Sequence, residues 1–301
     1  MRRLGGRGWS FARSVVALSG LSLAVAACAP VPPPGPGPEP DEYVALGDSF
    51  TAGPFIPLPD GPLGCLRSDH NYPHLVAAQL GLPRFTDASC SGARTDHMTQ
   101  TQNVTPGPAN PPQFDALDSG TAVVTLGIGG NDIGFLSIAL DCVTLLPIGT
   151  PCQDQYVVNG VDEISRRITE TGPKIAAVLQ GIHDRAPDAE VFVVNYLPIL
   201  PEADAYPSLS LLCFAQLPLA PDDVPYLREK QKELNAMLAE QAAANDAELV
   251  DAYTAGLGHD ACRLPLVRWV EAAVPLSVAA PVHPNLFGMQ GTAAAVLAAI
   301  N

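Results

Sequence analysis

Lysine is almost missing from this chain: Lys174, Lys230 and Lys232 are its only three. Acids outnumber bases, 31 Asp and Glu against 16 Lys and Arg, for a net charge of −15. A chain so poor in basic side chains offers no patch for nucleic-acid phosphates or for an anionic membrane. It also lacks a long apolar run. The stretch Val15 to Ala27 comes closest, but Ser19, Gly20 and Ser22 interrupt it, and it is too short for a comfortable membrane span. No two cysteines form a Cys-x-x-Cys pair, which counts against a zinc site. Internal repeats and long charge blocks are absent. So is a Gly-x-Ser-x-Gly elbow, which argues against the α/β-hydrolase route to a serine nucleophile.

What is present begins with an address. Arg2, Arg3, Arg7 and Arg13 precede the Val15–Ala27 run, the order of a basic region and an apolar region in a secretory signal. The signal is read as residues 1–28, because "VAAC" at Val25 to Cys28 resembles a bacterial lipobox. Such a match implies lipidation of Cys28 and a membrane contact through that anchor. The alternative is plain cleavage nearby. Residues 29–40, rich in proline, read as an extended tether with no apolar face to bury. Residues 41–301 remain for one large domain. Setting Cys28 aside, Cys65, Cys90, Cys142, Cys152, Cys213 and Cys262 make an even set, which in an exported chain points to disulfides. Sequential pairing, which closes loops rather than knots, is the simplest expectation.

Within that domain, strand and helix character alternate. Tyr43–Asp48, Ala122–Gly130, Glu190–Tyr196 and Glu248–Tyr253 are short apolar runs, the first breaking at Gly47 and the second ending at Gly130. Helical stretches fall at Pro73–Leu80, Val161–Ile182, Val224–Ala244 and Asn285–Ile300. This alternation predicts an α/β layered fold with a mostly parallel sheet. Ligands bind such sheets beyond the carboxyl ends of the strands, where Gly47-Asp48-Ser49 and Gly129-Gly130-Asn131-Asp132 both sit.

Acyl transfer needs a hydroxyl, a base and donors facing the oxygen on which charge develops. Ser49 supplies a hydroxyl. "SCSGART" supplies a backbone N–H at Gly92, "GGND" the Asn131 amide, and "PVHPN" His283 as base. These four blocks, in this order, resemble the SGNH hydrolases, also called the GDSL esterase/lipase family. "CLRSDHNYPHLVAAQLG", "LGIGGNDIGF", "GHDAC" and "RWVE" further resemble a subgroup of secreted actinobacterial esterases. The resemblance implies a three-layer α/β/α sandwich of flavodoxin-like topology and the disulfides Cys65–Cys90, Cys142–Cys152 and Cys213–Cys262. It implies Ser49 as nucleophile, with the N–H groups of Ser49 and Gly92 and the Asn131 side chain as the oxyanion hole. No metal or organic cofactor follows from it.

One position departs from the family. An aspartate usually stands three residues before the histidine, and here Ala280 does. A backbone carbonyl at Ala280 is expected to orient His283 instead, as in the subgroup, giving a Ser49–His283 dyad. The expected activity is hydrolysis of carboxylic esters, lipid or fatty-acyl esters first, by a monomer. "LSLLCFAQLPLA" (Leu209 to Ala220) is a candidate acyl-site wall, or core. The rival readings are a deacetylase of cell-envelope sugars and a non-catalytic ligand-binding lipoprotein. Asp48 reads as a cap and Arg94 as one half of a structural ion pair. Of the other histidines, His70 and His74 do not suggest a metal site, His183 reads as solvated, and His259 as tied into its loop.

Overall fold

The computed structural model describes residues 40–202 and 206–301. The signal, Cys28 and all but the last residue of the tether therefore lie outside the described residues. Five strands form one parallel sheet: β1 (Glu42–Gly47), β2 (Arg84–Asp87), β3 (Thr121–Gly127), β4 (Glu190–Val194) and β5 (Glu248–Val250). Their spatial order is β2-β1-β3-β4-β5, the flavodoxin-like order whose reversal at β1/β3 opens a crevice at the strands' carboxyl ends.

The sheet is buried on both faces because alternate side chains point opposite ways. Val44, Leu46, Val124, Leu126, Val191 and Val193 join the core beneath α1 (Glu163–His183) and α2 (Asp223–Ala244). Tyr43, Ala45, Phe192, Val194 and Val250 pack with Val76, Met289 and Val296 on the other face, from the helices at Tyr72–Leu80 and Leu286–Ile300. The result is the three-layer sandwich that the family resemblance implied. Three disulfides join Cys65 to Cys90, Cys142 to Cys152 and Cys213 to Cys262. Sheet, cores and disulfides all fall within residues 41–301.

Four strands and four helices match the expected segments to within a few residues. The edge strand β2 was not expected. "RFTD" is short and carries no apolar run, since an edge strand buries little of itself. Val161 and Asp162 pair with Val157–Val158 in a small hairpin instead of starting α1, which Asp162 caps by accepting from Ile164 N and Ser165 N. His183 is only half exposed and its ring meets the carbonyl of Asn245, so it is anchored rather than merely solvated.

The last helix must sit close to the segment that precedes it. Asn285 caps this helix by accepting from Phe287 N and Gly288 N. A Cβ at Gly288 would lie 2.5 Å from the backbone oxygen of Trp269. Gly288→Ala is therefore expected to lower stability by about 1–3 kcal/mol. Alanine's better helix propensity, up to about 1 kcal/mol, does not offset that clash. A fall in the urea midpoint would register it.

Candidate active site

β1 ends at Gly47, and the chain turns at once into a single helical turn, Ser49–Ala52. Asp48 sets the turn. Its Oδ1 accepts from Phe50 N at 2.9 Å, and its Oδ2 accepts from the Tyr196 hydroxyl at 2.6 Å. The same hydroxyl accepts from Gly130 N at 2.7 Å. Asp48 thus ties together the loops that follow β1, β3 and β4. Burial pushes its carboxyl up to about 7, against the hydrogen bonds from Tyr196 and Phe50. The residue is a cap, as expected, and also a buried tie that sequence could not reveal, since Tyr196 lies 148 positions away.

Ser49 Oγ lies 2.8 Å from His283 Nε2. The other ring nitrogen, Nδ1, faces the carbonyl of Pro281 at 2.7 Å, which assigns the proton to Nδ1 and leaves Nε2 as the acceptor. Among the described residues, no carboxylate lies within hydrogen-bonding reach of His283. The expected carbonyl of Ala280 is corrected to that of Pro281. Ala280 O is occupied by the backbone N–H of His283, closing a tight turn in which Val282 adopts a φ of 57°. Burial, with Phe50 packed 5.2 Å from the ring centre, holds the imidazole below its usual pKa; the Pro281 carbonyl opposes this shift. Phe50 was missed at the sequence level, where nothing distinguishes it from any residue following a serine.

Two of the three residues expected to supply an oxyanion hole share one cleft, and the third lies on a neighbouring loop. Ser49 and Asn131 line one cleft. Asn131 Nδ2 donates to Ala93 O at 2.9 Å, which fixes the amide plane and leaves its second proton available. Gly92 is the neighbour of Ala93 and has a φ of 79°, a conformation that favours glycine. Neither the Ser49 nor the Gly92 backbone N–H donates to a protein acceptor among the described residues. Cys90 N donates to Gly47 O, which pins this loop to the end of β1.

From Ser49 an open-mouthed apolar cleft runs into the molecule. Ile133, Phe135, Ile138, Leu200, Leu217 and Leu234 are among its lining. Of the Leu209–Ala220 segment, Leu217, Pro218 and Leu219 face the cleft, while Cys213 is buried in its disulfide. Lys230 also borders it but is neutralised by Asp162 at 2.9 Å and Glu233 at 2.7 Å.

The loop bearing His283 rests on a buried pair. Arg268 Nη2 meets Glu271 Oε2 at 2.5 Å, with both side chains almost wholly excluded from water. Burial opposes the charge on Glu271, yet hydrogen bonds from Asn285, Ser277, Leu276 N and Arg268 hold its carboxyl down at about 2. "RWVE" was legible as a motif but not as this brace. Trp269 stacks on His259 with ring centres 4.4 Å apart and packs over the last helix. Arg94 is exposed and makes no ion pair among the described residues, so the expected pairing is not found. No group of three or more His, Cys, Asp or Glu able to hold a metal occurs among the described residues.

Residues 45–290 match the GDSL-like Lipase/Acylhydrolase family. The chain belongs to that family. It is 42% identical to Lipase 2 of Streptomyces coelicolor over 253 residues, covering 82% of this chain and 81% of that protein. Among solved structures it resembles phospholipase A1 from Streptomyces albidoflavus, with a TM-score of 0.70 and 26% identity. That match covers 86% of this chain and 98% of the other. An extracellular lipase from Streptomyces rimosus gives a TM-score of 0.68 at 28% identity, covering 86% and 99%. As a member of the GDSL-like Lipase/Acylhydrolase family, the chain is a serine hydrolase of carboxylic esters.

Proposed function

We propose that Ser49 and His283 hydrolyse fatty-acyl esters of lipids through an acyl-enzyme, in an exported monomer anchored through Cys28. Ser49 Oγ attacks the ester carbonyl while His283 Nε2 takes its proton and hands it to the leaving alkoxide. The Ser49 and Gly92 N–H groups and the Asn131 amide stabilise the oxyanion. Water, deprotonated by the same imidazole, then releases the acid. The Pro281 carbonyl fixes the tautomer without adding a full charge, the division of labour that an aspartate would combine.

The observation that carries the lipid reading is the apolar cleft opening from the serine. An acetyl group would fill little of it, whereas a long acyl chain would remove many methylenes from water, each contributing about 0.8 kcal/mol. Turnover across esters from acetyl to palmitoyl tests this. Rising kcat/KM with chain length is expected; a maximum at acetyl, with release of acetate from acetylated sugars, would turn the reading to a deacetylase. The dyad has its own signature. Because only the neutral imidazole accepts the serine proton, and burial favours that form, kcat/KM on a soluble ester is expected to fall with acid through an apparent pKa below 6.5. Mass measurement of the mature protein tests the anchor, since an N-terminus downstream of Cys28 excludes it.

A further inference from the structure

Two apolar segments flank the cleft mouth and remain in water. The first follows Ile138, where Leu145 is 89% exposed and Leu146 and Ile148 are also exposed. The second lies ahead of the His283 turn, where Leu266 is 88% exposed and Val274 and Leu276 are also exposed. Both are attached to the cleft wall itself. Thr144 N donates to Pro218 O at 2.8 Å from one side, and Ala273 N donates to Gln216 O at 3.0 Å from the other. Val143 and Ala273 line the cleft beside them. These bonds tether both segments to Gln216 and Pro218 and so place them as a rim beside the cleft.

Its charge pattern differs from that of the chain. In a protein of net charge −15, the only charged side chain exposed in 136–148 is Asp141, which accepts from the Tyr156 hydroxyl. In 264–278 the charged residues are Arg268 and Glu271, both buried against each other. Exposed apolar surface gathered in one place marks a contact site. A second copy or a protein partner seated there would seal the mouth through which substrate must pass. A lipid surface would instead feed it.

We propose that this rim docks the enzyme on a zwitterionic phospholipid surface, with the cleft mouth facing the lipid, so that an acyl ester passes to Ser49 without crossing water. The inference rests on the fatty-acyl ester reading above. Apolar side chains entering the headgroup boundary supply the attraction, and with Asp141 the only exposed charge in these segments little charge has to be desolvated. The many acids elsewhere on the molecule disfavour an anionic surface.

The test uses residues 41–301, which contain the whole described fold, with Ser49→Ala to prevent consumption of the probe. Phosphatidylcholine vesicles are sedimented with this protein and with the same protein carrying Leu145→Asp and Leu266→Asp. The expected result is binding that weakens roughly tenfold or more in the rim variant. On the active background, the same pair of substitutions is expected to leave kcat/KM for a soluble short-chain ester unchanged, which also shows that the fold survives. Equal vesicle binding by both proteins would overturn the proposal. So would a dimer that the substitutions convert to monomer without any vesicle binding, since the rim would then join copies of the chain. Loss of ester hydrolysis in the unsubstituted protein, with vesicle binding intact, would sink the catalytic reading and leave the docking surface standing.

Discussion

Ser49→Ala is expected to lower kcat on a soluble ester by roughly 10⁵- to 10⁶-fold while leaving the fold intact. Ser49 Oγ has one side-chain partner, His283 Nε2, so alanine removes a single partly exposed hydrogen bond of about 1 kcal/mol at most. The catalytic cost is far larger because, in the mechanism proposed, the hydroxyl is the group that forms the acyl bond. His283→Ala is expected to cost a similar factor, and the double variant no more than either alone, because nucleophile and base act as one unit. Residual turnover would come from the oxyanion donors, which these changes leave in place. Steady-state kinetics with circular dichroism as a fold control decides it. A Ser49→Ala protein that retained most of its activity would place the nucleophile elsewhere.

Much of the frame behind that prediction was readable in advance, for a physical reason. Strands buried on both faces must be apolar, so the central β1, β3 and β4 stand out as runs; the half-exposed edge strand β2 obeys no such rule, and the other edge, β5, showed only through its short apolar stretch. The Ser49–His283 contact was readable because chemistry restricts the residue types able to fill those two places. Pro281 was not. Which of two successive carbonyls faces an imidazole depends on the backbone dihedrals of one turn, here set by Val282 at positive φ, and side-chain identity does not encode that. Tyr196 and Phe50 were hidden for a related reason. Their roles arise from partners brought close only by the topology, Asp48 for one and the His283 ring for the other. Arg94 shows the opposite failure: in an acidic chain pairing was a reasonable expectation, but its loop turns it toward solvent.

The buried Arg268–Glu271 pair should govern stability as Ser49 governs chemistry. Arg268→Met is expected to cost about 3–5 kcal/mol, because it leaves a carboxylate buried without its countercharge. Glu271 is more than half of that pair. Its Oε1 also accepts from Asn285 Nδ2 at 2.8 Å and Ser277 Oγ at 2.6 Å, and its backbone N–H donates to His283 O at 2.9 Å. Loosening it should therefore shift His283 and lower kcat more than it raises KM. The sign of the pH effect follows from the depressed carboxyl. A folded pKa of about 2, against 4.5 when unfolded, contributes stability that is present above 4.5 and lost as pH falls toward 2. In Arg268→Met the carboxyl loses a partner that favours its charge, so this acid limb should flatten even as overall stability drops. Urea midpoints taken from pH 2 to 7 on both proteins would show it. Replacing Glu271 as well, with leucine, should not restore the loss in full, because Leu276 N, Ser277 and Asn285 would then lack their acceptor. Arg268 Nε already has no partner among the described residues, so the arginine is the imperfectly satisfied member and the glutamate the centre of the brace.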